Sequence, residues 1–585
     1  GIISVLDIKT GEQKDIMQYP ATNLAFKAKD MKYRFNWNAP ILASPHNPKV
    51  IYHAGNVVFK STNGGINWEK ISPDLTRNDT TKQQLGGGPL TNEGAGGENY
   101  NTIYYLIESP HQQGVLYAGS DCGLIHVTMD GGKNWQNITP KDLPESSVHA
   151  IEVSPHDPAT VYVAATRYKF SDYASYTYRS SDYGKTWTKI NNGIEADDFI
   201  KVIREDRKTK DLLYAGAERG FYVSFNGGNQ WHKLMLNLPV VPITDLAIQG
   251  NDLVASTAGR AFWILDDLSA LQQSQGKFTE SVKLFSPKTT VRYPGVTVPA
   301  EAQPIAGQNP MDGVILDYYL KDKADTATLT LEIYNQDGKL IRKYSNKKDE
   351  NFKGFPGGPP APQLLPAEAG INRFAWDLRS ETLLPINNAF VYGDYRGHRV
   401  APGKYRAVLK HKGITSEVMC ELIADPNLKV TASDWNEQQQ FLNDVAQQIE
   451  KIHQAVNNMR QVKKQIEAQQ EVLKQSKEAA TLLDAGKALI KKIDSWESEV
   501  VESRQKNFQD VINYASKLNV EFFALRGAAD VHDPRLTQGV KDRYADLLTQ
   551  WQKAEAKQKQ IVKEDIKAYN DLFKKLNLDA LVVKE

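Results

Sequence analysis

Four stretches of this chain spell nearly the same turn: "STNGGINW" (61–68), "TMDGGKNW" (128–135), "SSDYGKTW" (180–187) and "SFNGGNQW" (224–231). Their tryptophans lie 67, 52 and 44 residues apart. A repeat at such a period sets the architecture before any local reading does. Each unit is one supersecondary element that buries its faces only by stacking on its neighbours. Each turn follows a β-rich stretch with a shared grammar: "SPHNPKVIYHAG", "SPHQQGVLYAGSDCGLIHV", "SPHDPATVYVAATRY" and "REDRKTKDLLYAGAERGFYVS". A turn rich in Pro, Asn or Asp leads into a Val/Leu–Tyr strand. A fifth unit, "NDLVASTAGRAFWILDD" (251–267), keeps the strand pair without the turn. Short strands grouped with one hairpin per unit predict β-propeller blades. The small residues of "YAG" (117–119 and 214–216) are expected where inner strands crowd towards a central channel.

The turn has a physical grammar of its own. Asp130 and Asp182 can accept backbone N–H bonds, as an Asx-type turn requires, and Asn63 and Asn226 keep that acceptor without the charge. Gly65, Gly132, Gly184 and Gly228 supply a positive φ. Trp68, Trp135, Trp187 and Trp231 then cover the hairpin with a large apolar face carrying one N–H donor. Because two copies lack the carboxylate, ion binding and acid–base work are excluded as the common purpose; the expectation is a fold staple.

These residues resemble the Asp-box, or BNR, repeat of sialidase-like, sortilin-like and xyloglucanase-like propellers. With "YVAATRYKF", "LLYAGAERGFYVSF" and "NLPVVPITDL", the chain looks more similar still to bacterial sortilin (VPS10)-like BNR-repeat "glycosyl hydrolases". The resemblance covers about residues 1–275. It implies an extracytoplasmic location (periplasm, cell surface or secreted), and further blades upstream, in the same protein or a companion chain. With "IISVLDIKTGEQ" starting at once after Gly1, the chain reads as a processed or truncated product. The hydrolase label rests on scaffold repeats and implies little about activity.

After residue 268 the pattern changes. Residues 327–344 alternate inward Leu329, Leu331 and Ile333 and turn at Asp337–Gly338, a hairpin signal. With residues 371–379 and 401–426 this predicts an Ig-like sandwich over 281–426, interrupted by the Gly/Pro-rich loop "FKGFPGGPPAPQLLPAEAG", a candidate peptide-docking segment. From residue 433 the period is helical. Leu442, Val445, Ile449, Ile452, Val456, Met459, Val462 and Ile466 form one stripe, with His453 expected on the solvated side. Further helices are expected through Leu489–Val500, over 508–518, and from Tyr544 to Phe573. The fold class is thus mainly β with an α tail: propeller blades over 1–280, the sandwich over 281–426, and an antiparallel helical bundle over 427–585.

Composition narrows the function classes. Seventy-one basic residues almost cancel 70 acidic ones, so no nucleic-acid partner is expected. No apolar run is long enough for a membrane span. Cys122 and Cys420 show no CxxC or zinc spacing and read as free thiols. His46, His111 and His156 recur once per unit in "SPH", as turn residues rather than a metal cluster. No metal or cofactor is expected.

The glycine-rich stretch "LGGGPLTNEGAGGENY" (85–100) lacks a phosphate-loop ending. It offers Glu93 and Glu98 as an acid/base pair, with Asn92, Asn99 and Tyr100 as ligand contacts. Arg167, Tyr168, Arg219 and Arg260 follow inner strands and are candidates for the channel mouth. The reading that follows is a non-enzymatic binding or scaffold protein showing a propeller face to a protein or cell-surface complex, with a glycan among the candidate ligands. The alternatives are a glycoside hydrolase acting in the propeller cleft and a sortilin-like peptide receptor.

Overall fold

The structure is a computed structural model that describes residues 2–85, 94, 96–293, 307–324, 328–474 and 479–576. It divides into two compact units, Gly1–Lys277 and Phe278–Glu585.

The first unit is built from antiparallel meanders. A hairpin, β1 (Ser4–Leu6) and β2 (Gln13–Asp15), precedes four four-stranded sheets. These are β3–β6 (Ile41–Ala43, Ile51–Ala54, Val58–Ser61, Glu69–Lys70) and β7–β10 (Ile103–Glu108, Leu116–Ser120, Ile125–Thr128, Gln136–Asn137). Then come β11–β14 (Ser147–Val153, Val161–Arg167, Asp172–Ser180, Thr188–Lys189) and β15–β18 (Ile200–Glu205, Leu213–Ala217, Phe221–Ser224, His232–Lys233). A three-stranded sheet, β19–β21 (Ile243–Gln249, Asp252–Thr257, Phe262–Leu265), and a short helix α1 (Ser269–Ser274) complete it. The first strands of successive sheets pack on one another, β3 on β7, β7 on β11, β11 on β15 and β15 on β19, which is the stacking of propeller blades.

The tryptophan turns join each sheet to the one before. Trp68, Trp135, Trp187 and Trp231 donate from Nε1 to the carbonyls of Ile16, Ile71, Ile138 and Ile190, at 2.8, 2.8, 2.6 and 2.8 Å. The fifth-position glycine lies on the same isoleucine: a Cβ on Gly184 would sit 2.4 Å from Ile138 Cδ1, and its φ is +88°. The residue is therefore glycine for space as well as for conformation. Within the turn, Asn63, Asp130, Asp182 and Asn226 each accept a backbone N–H four residues on, at 2.9–3.0 Å. The "SPH" histidines stitch the same sheets elsewhere. His46, His111 and His156 donate from Nε2 to the carbonyls of Ser109, Ser154 and Asp206 of the following unit.

The small residues of "YAG" have a different cause from the one expected. They lie in the second strands, β8 and β16, and Gly119 faces Val148 of the neighbouring sheet's first strand while Gly216 faces Ile243. Crowding between stacked sheets, rather than across a channel, excludes a side chain there.

The second unit opens with a sandwich. Sheet β22–β24–β27 (Val282–Leu284, Val314–Leu320, Gly370–Trp376) is one layer. The other is β23–β29–β28–β25–β26, using β23 (Thr290–Arg292), β25 (Leu329–Tyr334), β26 (Leu340–Ser345), β28 (Gly403–His411) and β29 (Ile414–Ala424). Leu329, Leu331 and Ile333 are buried in the shared core with Leu316, Trp376 and Leu409. The helices α2 (Ala432–Leu473), α3 (Ala480–Val500), α4 (Leu518–Ala529), α5 (Gln538–Gln560) and α6 (Lys567–Lys575) follow. α2 starts on a reciprocal cap between Thr431 and Asp434.

Two tail expectations are corrected. His453 is 0 % exposed, not solvated: its Nδ1 donates to Leu384 O at 2.7 Å, and its ring packs near Tyr395 and Phe523. The cause is the segment 383–395, whose Leu383, Ile386, Val391 and Tyr395 cover a second face of α2 and join the helical core. Burial holds the His453 imidazole down at about 4, so it is neutral. Residues 508–518 form no α-helix. A 3-10 turn, Phe508–Ile512, is capped by Asn507 and Asp510, and α4 begins only at Leu518.

Candidate functional site

The residues that gather chemistry lie where the 96–100 segment is strapped to 35–38. Trp37 N donates to Gly97 O at 2.7 Å, and Asn36 and Glu98 form an antiparallel bridge. Asn36 Nδ2 donates to Asn99 O (3.1 Å), and Asn99 Nδ2 returns to Phe35 O (2.8 Å) and Gly96 O (3.0 Å). The straps fix an indole in the open. Trp37 is 70 % exposed, yet a Cβ on Gly97 would stand 2.7 Å from its ring, so one indole face rests on glycine backbone.

Beside it is a recess of about 260 Å³ whose lining includes Trp37, Asn38, Glu98, Tyr104, Asp121 and Tyr168. Asn38 Nδ2 donates to the Tyr104 hydroxyl at 2.6 Å. Tyr168 is backed by Phe199, stacked at 5.5 Å, and Tyr104 meets His149 edge-on at 5.1 Å. Asp121 is 4 % exposed and accepts from Thr102 N (2.9 Å) and Thr102 Oγ1 (2.8 Å). Burial pushes its carboxyl up to about 7, against the pull of those two bonds. Burial likewise raises the adjoining Cys122 thiol to about 11, which leaves it un-ionised at neutral pH.

The Asp121 environment gives a pH prediction. The folded value lies above the ordinary 3.8, so the cost to stability is absent below that value, grows as pH rises, and is complete above about 7. Asp121→Asn, fixed in the neutral form, should gain stability relative to the native chain between pH 5 and pH 8 by on the order of 2 kcal/mol. Urea melts at the two pH values measure this, and a difference that stays flat with pH contradicts it.

Of the residues picked out from sequence, Glu98, Asn99, Tyr100 and Tyr168 come together around the recess. Asn92 and Glu93 lie outside the described residues. Asn99 and Tyr100 are buried and their polar groups are engaged: the Tyr100 hydroxyl donates to Glu145, which also takes Lys82 at 2.6 Å. Arg167 pairs with Asp172 at 2.7 Å. Arg219 pairs with Asp197, and with Glu195 at 3.6 Å, and does not line the recess. Arg260 does not line it either; its N–H donates to Thr257 Oγ1 at 3.1 Å. Trp37, Asn38, Tyr104 and Asp121 lie outside the residues that the sequence points to. Trp37 and Asn38 carry one signal, "FNWNAP", a tryptophan between two asparagines outside any tryptophan turn, and Tyr104 and Asp121 carry none.

A second ionic group spans three inner strands. Arg204 (β15) meets Asp245 (β19) at 2.7 Å and Glu152 (β11) at 3.6 Å. Burial raises the Glu152 carboxyl to about 7 despite Arg204. Among the described residues no cluster of three or more His, Cys, Asp or Glu side chains is placed to hold a metal ion. No helix among them is long and apolar enough to cross a membrane.

No family model matches the chain, and no curated protein matches it. Solved structures do. It is similar to an ancestral GH74 enzyme (13% identity, TM-score 0.31, 69% of this chain and 48% of that one). It is similar to the GH74 xyloglucanase from Xanthomonas campestris (14%, 0.31, 65% and 63%). A third is YCF48 bound to D1 peptide (17%, 0.23, 40% and 81%). The chain spans 48% of the first of these and 63% of the second.

Proposed function

We propose that this chain is an extracytoplasmic, non-enzymatic binding protein of the BNR type, whose propeller face is displayed to a protein or cell-surface partner. The observation that carries the reading is the division of labour among side chains. The repeated Trp, Gly and His residues are spent joining sheet to sheet, whereas one non-repeated recess presents an open indole, a tyrosine and an amide. Loops held by a rigid scaffold are where binding groups concentrate. The carboxylates beside the recess, buried Asp121 and half-buried Glu145, are engaged as acceptors, Asp121 by Thr102 and Glu145 by Lys82 and Tyr100.

The test is site-specific photocrosslinking of the full chain to isolated bacterial envelopes, with the crosslinker at position 169 or, as control, at the exposed Lys487 of α3. Envelope adducts are expected from 169 and not from 487. Equal labelling at both positions would sink the reading, as would release of cleaved saccharide from the envelopes, the outcome the glycoside hydrolase alternative requires.

A further inference from the structure

We infer that the recess beside Trp37 binds a pyranose unit of an uncharged glycan, with the indole as its stacking platform. This rests on the propeller-face reading above and names the ligand class. The first argument is the state of the indole. Large aromatics are normally paid for by burial, yet Trp37 is held flat on Gly97, its backbone tied to Gly97 O at 2.7 Å, with 70 % of its surface open. A platform ordered before binding loses little entropy on binding. Its free π face complements the C–H face of a sugar ring, since both are flat, weakly polar and opposite in partial charge.

The second argument is the polar set around the platform. Asn38 gives its Nδ2 hydrogen to Tyr104 at 2.6 Å, which leaves Asn38 Oδ1 as an acceptor and turns the Tyr104 hydroxyl hydrogen outward as a donor. Glu98, which also lines the recess, adds a carboxylate. Alternating donors and acceptors at the side of an aromatic face match vicinal hydroxyls, which are each donor and acceptor at once.

Charge argues against the other small-ligand classes. Glu98 and Asp121 outnumber Lys169 around the recess, so a phosphate meets net repulsion there, while the Lys169 ammonium opposes a polycation. An extended peptide would take a row of backbone partners from an open strand edge, whereas these groups are side chains. The volume, about 260 Å³, is near the lower end of small-ligand sites and suits one ring with its hydroxyls.

The experiment is calorimetric titration of the full chain with gluco-, xylo-, manno- and N-acetylglucosamine hexasaccharides, followed in parallel by tryptophan fluorescence. At least one should bind saturably and perturb the emission. Trp37→Ala should weaken that binding at least tenfold, and Trp37→Phe should restore part of it. Because the indole is open, Trp37→Ala should leave the thermal melting profile in place, which separates a lost contact from a lost fold. Binding unchanged in Trp37→Ala overturns the inference, and so does absence of binding by all four sugars at millimolar concentration. If all four fail while the crosslinker at 169 still labels envelopes, the sugar assignment alone falls and the binding reading stands.

Discussion

Replacing Asp530 by alanine should destabilise the second unit by about 3–5 kcal/mol. Its carboxylate is the shared counter-charge of three arginines from the sandwich. Arg379, Arg399 and Arg292 approach it at 3.5, 3.6 and 3.8 Å, and its backbone carbonyl accepts from Arg399 Nη2 at 3.2 Å. Arg292 is wholly buried, lies over the Trp435 ring at 4.5 Å, and spends Nε on Val400 O. Burial, reinforced by the Arg399 charge, brings its guanidinium down to about 10 even with Asp530 in place. Without that carboxylate three cations face one another in a dry site, and the loss is that of uncompensated buried charge rather than of one good hydrogen bond.

Asp530→Asn, which keeps the shape, should therefore lose most of the same stability. Arg292→Met on that background should recover part of it by removing one cation while keeping contact with Trp435. Urea denaturation followed by the near-ultraviolet signal of the second unit measures all three. If Asp530→Asn proves harmless, the charge argument is wrong and packing alone holds these elements together.

What could be read from the sequence follows the range of the interactions. The tryptophan turns are local, eight residues each, so Asp182, Gly184 and Trp187 announced themselves. The helical stripe Leu442–Val456 is likewise set by the pitch of one helix. The recess is not local. Trp37 is joined to Gly97 across 60 residues, and Asp121 reaches it through the hydrogen bonds of Thr102. No periodicity records such a meeting. The burial of His453 is hidden for the same reason: one helix shows its polar side, but not that Leu383–Tyr395 will cover it. In 508–518 the apolar residues sit at helical spacing, yet Phe508 meets the rings of Phe390 and Tyr392, at 5.4 and 5.7 Å. The segment closes instead as the short turn that Asn507 and Asp510 cap.

The four tryptophans look equivalent in sequence, and their removal should not be. Trp231 is 1 % exposed, whereas Trp68, Trp135 and Trp187 are half-buried. All four make the same Nε1 bond, so the hydrogen bond cannot separate them. Ile190 O also accepts from Thr177 Oγ1 at 3.2 Å, so losing the indole leaves no orphaned carbonyl. The difference is cavity: a fully enclosed indole leaves a void in the core that also holds Ile190, Tyr222 and Val223, one that water cannot usefully fill. Trp231→Ala should cost about 3–5 kcal/mol. Trp68→Ala should cost roughly half as much, because solvent relaxes into an open site. Trp231→Phe should restore most of the loss by refilling the void without the N–H donor. Denaturant melts of the three variants, read by far-ultraviolet dichroism of the β-rich unit, give the ranking. A Trp231→Ala loss no larger than that of Trp68→Ala would mean that the shared N–H bond, and not enclosure, holds the blades together.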